Sequence, residues 1–170
     1  AAFSSLPVGR YRVVWDPVEF YAAPAAQTND VTAGVTVDCA GTYTFADSNG
    51  NGISDLFEER YFGGVADPYP AGRDTDGDGL TDEEEFAAGT DPTAIESCVR
   101  VRRVDILANR TVRVEWTTVP GHRNQLSLST DLREWLTASE WIRAQGVLSS
   151  ATLPPLAEDA AYFFRVEVRP

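Results

Sequence analysis

The sequence contains no methionine, a single histidine, two cysteines and no apolar run long enough to span a bilayer. Because a membrane-spanning helix needs about 20 consecutive apolar residues, no membrane span is expected. The formal net charge is −12, and the chain lacks the basic stripe that displaces counterions from phosphates. Membrane-spanning and nucleic-acid-binding proteins are therefore excluded as function classes.

The residues that most often carry catalysis are also scarce. The single histidine, His122, lies in the turn-forming stretch VPGHRN, where a surface role is expected rather than that of a base oriented by a third group. Neither cysteine is placed by the sequence beside this histidine as a nucleophile. The protein is therefore not expected to be an enzyme.

The two cysteines, Cys39 and Cys98, bracket the most acidic part of the chain. A disulfide between them fits an oxidising, extracellular compartment, and two free thiols are the alternative. The chain begins at Ala1 without an apolar leader, so we expect either a secreted protein whose signal peptide has been removed or a fragment of a longer protein.

The negative charge is concentrated in one segment. Residues 47–96 contain 14 Asp or Glu and two Arg, a net charge of −12, whereas the flanking segments nearly cancel. Within it, the stretch DTDGDGLTDEEE, residues 74–85, contains seven carboxylates and no cationic side chain. Charges at this density repel one another in a compact segment. A bound metal ion is the expected source of positive charge, and a solvated acidic linker is the alternative.

The spacing of these residues matches the twelve-position calcium loop of the EF-hand, and the match occurs twice. Calcium takes six to eight oxygen ligands, and zinc is disfavoured because nearly all the candidate donors are oxygens. Position 7 contributes a backbone carbonyl, position 9 acts directly or through water, and position 12 closes the shell with both oxygens. The predicted ligands are Asp47, Asn49, Asn51, Ile53, Asp55 and Glu58 in loop 1 (residues 47–58), and Asp74, Asp76, Asp78, Leu80, Asp82 and Glu85 in loop 2 (residues 74–85), with Gly52 and Gly79 at position 6.

The two loops are not expected to bind calcium equally. Loop 1 has three carboxylates among its ligands and loop 2 has five, so loop 2 is expected to bind more tightly. Each loop is followed by an amphipathic segment that ends at glycine, SDLFEERYFGG and TDEEEFAAGTDP, which predicts a short exit helix. The residues before each loop do not predict an entering helix, and the absence of methionine argues against a calmodulin-like switch.

The phrase DTDGDGLTDEEEFAAGTDP resembles the calcium repeats of secreted bacterial proteins, similar to thrombospondin type 3 and dockerin repeats. This resemblance implies two calcium ions, an extracellular or cell-surface location in a bacterium, and a structural role. A dockerin-like docking module is a weaker interpretation, because dockerin pairs lack flanking β domains.

The segments on either side are predicted to be β-rich. Residues 9–15 and 34–45 have the composition of strands, and LPVGRYRV with GVTVDCAGTYTF resembles the last part of a prealbumin-like β-sandwich. Residues 99–107, 111–118, 124–130, 147–153 and 161–168 predict short strands, and VEWTTVPGHRNQLSLSTDLREW resembles a fibronectin-like module. Its predicted core comprises Trp116, Leu126, Leu128 and Trp135, and its predicted solvated face comprises Arg100, Arg102, Arg113 and Arg123.

Together these features predict a mostly β chain in which two small β-sandwich-like modules are joined by a paired EF-hand-like calcium segment with short helices. The predicted boundaries are 1–46, 47–98 and 99–170. The expected function is that of an extracellular structural protein whose calcium ions stiffen the joint between the modules. Partners are expected to be further copies, associating through strand edges into a filament or surface layer, or other extracellular modules. The alternative is an adhesion or carbohydrate-binding module, with a glycan as partner.

Overall fold

The structure, a computed structural model, describes residues 6–66, 68–157 and 160–169. The chain divides into two compact units, Ala1–Ala46 and Asp47–Pro170. The described elements are nine strands and two short helices, which confirms the predicted mostly β fold class. No helix in these ranges is both long and apolar enough to cross a membrane.

The first unit is built on a two-stranded antiparallel sheet. Strand β1 (Gly9–Val13) pairs along its whole length with β2 (Gln27–Val31). An isolated bridge joins Ala22 to Thr44. Among the described residues of this unit, Val18 is the single buried apolar side chain. The unit therefore has little core, as expected for 46 residues.

The predicted strand over residues 34–45 is wrong. Apart from the bridging residue Thr44, these residues form no strand, and Val35 and Val37 are exposed. Side chains of β2 contact this segment instead, since Gln27 Nε2 donates to the Ala40 carbonyl at 2.7 Å. The segment has β-forming residues, but it lacks a partner backbone with which to form a ladder.

The second unit contains the helices and the remaining strands. Strands β3 (Val101–Ile106), β4 (Val112–Thr117) and β8 (Leu148–Leu153) form an antiparallel sheet in the order β3-β4-β8. In the other sheet, β5 (Arg123–Ser129) pairs on one side with β9 (Phe163–Arg169) and on the other with the two-residue strands β6 (Leu136–Thr137) and β7 (Ile142–Arg143). The five strands predicted in this region are present, and β6 and β7 were not predicted.

The core of these sheets contains two of the residues that the sequence identified. Trp116 and Leu126 are fully buried, and Leu128 is partly buried against the same cluster. Trp135 is not part of this cluster, so its predicted core role is wrong. Its ring is half-buried, with the Arg165 guanidinium 4.5 Å from the ring centroid. An aromatic ring on the outer face of a sheet is stabilised in this way by a cation–π contact.

Arg100, Arg102, Arg113 and Arg123 are all exposed, as predicted, but Arg113 lies in β4 and Arg123 in β5, so the four do not share one sheet. The predicted surface position of His122 is wrong. Its side chain is only 3% exposed, and a Cβ on Gly89 would lie 2.5 Å from the imidazole Cε1. The glycine that follows the second calcium loop thus permits a close approach to the histidine.

Cys39 and Cys98 are both free thiols, so the structure does not contain the predicted disulfide. Cys39 is exposed and receives a hydrogen bond from Asn29 Nδ2 at 3.1 Å. Cys98 is half-buried, and burial together with the nearby Asp78 raises the pKa of its thiol. The two cysteines therefore have separate local partners.

Each predicted calcium loop leads into a short helix, as predicted, and the helix begins at position 9 of the loop. Helix α1 (Asp55–Phe62) ends at Gly63 and helix α2 (Asp82–Ala88) ends at Gly89, and both glycines adopt left-handed backbone conformations. No helix precedes either loop within the described residues 40–54 and 68–81. The segment therefore consists of two loop-plus-exit-helix units.

Candidate metal centre

The two loops are wound by matching hydrogen bonds. In each loop the carboxylate at position 1 accepts hydrogen bonds from the amides at positions 4 and 6, which pulls the chain into a tight curl. The pairs are Gly50 to Asp47 Oδ1 (2.8 Å), Gly52 to Asp47 Oδ2 (3.0 Å), Gly77 to Asp74 Oδ1 (2.7 Å) and Gly79 to Asp74 Oδ2 (3.1 Å). Gly52 and Gly79 have φ angles of +85° and +99°, which explains the glycine at position 6.

The side chains at positions 3 and 5 continue the same pattern. Each accepts a hydrogen bond from the backbone amide two residues later: Asn51 to Asn49 (3.2 Å), Ile53 to Asn51 (2.8 Å), Asp78 to Asp76 (3.0 Å) and Leu80 to Asp78 (2.8 Å). The repeat seen in the sequence is therefore a repeat of backbone geometry.

In loop 2 the alternating carboxylates converge. Asp74, Asp76 and Asp78 each direct one oxygen into a group whose members lie within 4.8 Å of one another. Two unit charges 4 Å apart repel by about 1–4 kcal/mol at the dielectric constants of water and of a protein surface. A cation at this position would relieve the repulsion among the three carboxylates.

Glu85 is not a member of this group, but its carboxylate interacts electrostatically with Asp76 and Asp78. Its side chain is fully buried, and Thr90 Oγ1 donates to its Oε1 at 3.1 Å. Burial raises the pKa of Glu85 to about 8; Asp76, Asp78 and Asp82 add to the rise, and the Thr90 hydrogen bond opposes it. Three buried oxygens, Asp76 Oδ2, Asp78 Oδ2 and Glu85 Oε2, accept no hydrogen bond from any described residue.

The aspartate at position 9 forms its hydrogen bonds with residues other than the clustered carboxylates. Asp82 is fully buried and accepts hydrogen bonds from the Thr75 amide at 2.9 Å, from Thr75 Oγ1 at 2.7 Å and from the Tyr69 hydroxyl. Its counterpart Asp55 accepts from the Ser48 amide at 2.8 Å and from Ser48 Oγ at 3.1 Å. Both aspartates thus stabilise the first turn of their own loop by accepting hydrogen bonds from the residue at position 2.

Loop 1 differs from loop 2 at its centre. Glu58 is fully buried, and the amide nitrogen of Asn49 lies 3.2 and 3.3 Å from its two carboxylate oxygens. The equivalent contact in loop 2 would join two carboxylates, Asp76 and Glu85. The remaining predicted ligand in each loop is the backbone carbonyl of Ile53 or Leu80; the Ile53 side chain is buried and that of Leu80 is half-buried.

The two loop units pack together through aromatic rings. Phe57 of α1 and Phe86 of α2 are buried, and their ring centroids lie 5.4 Å apart in an edge-to-face arrangement. Each ring belongs to the residue next to a position-12 glutamate, Glu58 or Glu85. The aromatic contact therefore fixes the helices that hold these two ligands.

Sequence reasoning missed several residues that support the site. Thr90 and Tyr69 bond to Glu85 and Asp82 from outside the twelve-residue loops, where spacing gives no signal. Thr81 was detectable, because Thr81 and Glu84 form the capping-box pattern before α2. Thr81 Oγ1 accepts from the Glu84 amide at 3.2 Å, and Glu84 Oε2 accepts from the Thr81 amide at 2.9 Å.

Replacing Thr81 with alanine is expected to lower the free energy of unfolding by about 1 kcal/mol, because the first turn of α2 loses its side-chain acceptor. Urea denaturation with and without calcium measures this loss. Thr81→Ser keeps the hydroxyl and is expected to unfold close to wild type. Equal losses in the alanine and serine variants would contradict the capping role.

The donor set of loop 2 fits a calcium ion. The side-chain atoms that could ligate a metal are carboxylate oxygens, which suit a hard cation. Three of these oxygens are buried and accept no hydrogen bond from the described residues. Asp74, Asp76, Asp78 and Glu85 are the side chains that would hold the ion. A bound calcium would supply the positive charge that this cluster lacks.

Part of the chain matches a known protein family. Residues 74–94 match the family model described as the bacterial TSP3 repeat, which confirms the thrombospondin type 3 part of the predicted resemblance. The prealbumin-like and fibronectin-like resemblances of the flanking segments stay predictions. No curated protein and no solved structure gave a match to the chain. The matched segment contains loop 2 and α2, and the family is one of calcium-binding extracellular repeats.

Proposed function

We propose that this protein is an extracellular structural module that binds calcium at two unequal sites and associates with further copies of itself through an open strand edge. The observation that carries the calcium part is the group of buried carboxylate oxygens in loop 2 without hydrogen-bond donors. The matched repeat family is structural rather than catalytic, which agrees with a supporting role.

The proposed site of association is β3. It lies at the edge of its sheet and pairs only with β4 among the described strands. Its first half has a feature that protects an edge, a bulge between Val101 and Arg103, and an ion pair joins Arg103 to Asp105 in the second half. Its second half leaves Val104 46% and Ile106 78% exposed. An exposed apolar edge of this kind favours the addition of a strand from another molecule.

A groove beside this edge supports the same proposal. It has a volume of about 330 Å³, and Val104, Ile106, Leu156 and Phe164 contribute to its apolar lining. Phe164 belongs to β9, which also contacts α2. Calcium that orders loop 2 and α2 would therefore also support one wall of the groove.

Size-exclusion chromatography with light scattering, together with negative-stain microscopy, tests this proposal on the whole chain in calcium and in EGTA. We expect assemblies in calcium that dissociate in EGTA. A Val104→Lys, Ile106→Lys double variant is expected to stay monomeric and to take up calcium like wild type. Val147→Lys is the matched control, since Val147 is 69% exposed and lies outside β3.

A wild-type chain that stays monomeric in calcium at every concentration would overturn the proposed self-association. Binding of that monomer to a glycan array would favour the adhesion alternative. Wild-type protein that takes up no calcium in a calorimetric titration would overturn the calcium part, whatever its assembly state.

A further inference from the structure

The central difference between the two loops is the residue at position 3, Asn49 in loop 1 and Asp76 in loop 2. Asn49 Nδ2 lies 3.2 and 3.3 Å from the Glu58 carboxylate oxygens and also donates to the Ala66 carbonyl at 2.7 Å. The Ala66 amide adds a longer hydrogen bond to Glu58 Oε1 at 3.4 Å. The buried glutamate of loop 1 therefore has donors within its own chain.

Hydrogen bonds at both the oxygen and the nitrogen of the Asn49 side-chain amide fix its orientation. Its Oδ1 accepts from the Asn51 amide at 3.2 Å, so its nitrogen faces Glu58 and Ala66. Turning the amide over would place its oxygen against the Glu58 carboxylate and the Ala66 carbonyl, which are both acceptors. The observed orientation is therefore the one that all three neighbours favour.

Loop 2 lacks this arrangement although its backbone is wound in the same way. The position-3 side chain there is a carboxylate, and Asp76 Oδ2 and Glu85 Oε2 are both buried without a donor from the described residues. A buried charged group without a partner is costly, whereas hydrogen bonds to a charged group are among the stronger ones. The two loops are thus alike in shape, but Glu85 has a donor on one oxygen only, Thr90 Oγ1, whereas both oxygens of Glu58 face the Asn49 nitrogen.

We propose that Asn49 closes loop 1 through its hydrogen bonds to Glu58, so that loop 1 and α1 keep their fold without calcium. Loop 2, in contrast, needs the ion to keep its fold. Calcium enters loop 1 only by displacing the Asn49 nitrogen from Glu58, so loop 2 fills first and loop 1 fills weakly. The order of filling rests on the proposed calcium binding. The stability of loop 1 in the absence of calcium does not.

A reciprocal exchange in the whole chain tests this inference. In EGTA, Asn49→Asp is expected to lower the unfolding temperature by about 5 °C or more, and Asp76→Asn is expected to raise it. In calorimetric calcium titrations, Asn49→Asp is expected to tighten the weaker site about tenfold or more, because it adds a ligand charge. Asp76→Asn is expected to weaken the tighter site by a similar factor.

Asn51→Asp is the matched control for charge. It adds one negative charge to the same loop, but the Asn51 side-chain nitrogen is buried and makes no hydrogen bond to a described residue. Its fall in unfolding temperature in EGTA is expected to be clearly smaller than that of Asn49→Asp. Equal falls, or an Asp76→Asn variant that is less stable than wild type in EGTA, would overturn the role of Asn49.

The calcium titrations test the proposed function, and the unfolding temperatures in EGTA test the role of Asn49 separately. A wild-type chain that binds no calcium would overturn the proposed function, while the unfolding temperatures in EGTA would still decide whether Asn49 closes loop 1. A wild-type chain that binds calcium with Asn49→Asp and Asn51→Asp equally destabilised would overturn the inference alone.

Discussion

Glu85→Gln is expected to lower the calcium affinity of loop 2 by about 100-fold, which corresponds to about 2.8 kcal/mol of binding free energy. The substitution keeps the shape of the side chain and its acceptor for Thr90, but it removes a buried negative charge beside Asp76 and Asp78. Ligand charge is a main determinant of calcium affinity in loops of this type. Calorimetric titration measures the loss as the disappearance of the tighter site.

The same variant is expected to be at least as stable as wild type when calcium is removed by EGTA. Without the ion, burial and the neighbouring carboxylates raise the pKa of Glu85 to about 8, so Gln replaces a group that is costly to ionise at this position. Glu83→Gln is the matched control, because Glu83 is exposed on the same helix and carries the same charge. A Glu85→Gln variant that titrates like wild type, or a Glu83→Gln variant that loses as much affinity, would refute the ligand assignment.

The sequence predicted the parts of this protein that depend on local spacing. Both loops, both exit helices and five strands of the second unit lie where their patterns placed them. A calcium loop is specified within twelve residues, because each short side chain bonds to a backbone amide two to five residues away. A strand in which buried and exposed residues alternate can also be predicted from its own sequence. Strand β4 is an example, and Trp116 lies on its buried face.

The predictions that failed depend on distant partners. Residues 34–45 have β-forming composition but no adjacent strand to pair with. His122 is buried because Gly89, 33 positions earlier, leaves space for its ring. Trp135 lies outside the core cluster, and its ring contacts Arg165 of another strand. In each case the deciding contact comes from another element, which composition and periodicity do not reveal.

Within the candidate site, too, the sequence predicted what depends on local spacing and missed what depends on residues farther along the chain. The spacing identified Asn49 and Asp76 as equivalent position-3 residues. It did not identify their different roles, because the direction of the Asn49 amide is set by the Ala66 carbonyl, which lies outside the loop. The chemistry of the loops therefore follows from their sequence motif together with the chain that leaves each helix.

Phe57→Ala is expected to lower the free energy of unfolding of the second unit by about 3–5 kcal/mol, the usual cost of removing a buried phenylalanine. Phe57 is fully buried and contacts Phe86 at 5.4 Å, Tyr61 at 4.7 Å and Phe62 at 6.2 Å between ring centroids. Urea denaturation in calcium measures the loss. Leu56→Ala is the control, because Leu56 is its neighbour in α1 and is 59% exposed.

The same variant is also expected to weaken calcium binding in both loops, although Phe57 is not a predicted ligand. Phe57 precedes Glu58 in α1 and Phe86 follows Glu85 in α2, so their contact holds both position-12 glutamates in place. A double-mutant cycle with Phe86→Ala is expected to give a coupling of about 0.5–1.5 kcal/mol. If affinity in both loops were unchanged while stability fell, the aromatic contact would stabilise the fold without coupling the two sites. A fall in both quantities is expected if this contact holds the two position-12 glutamates in place.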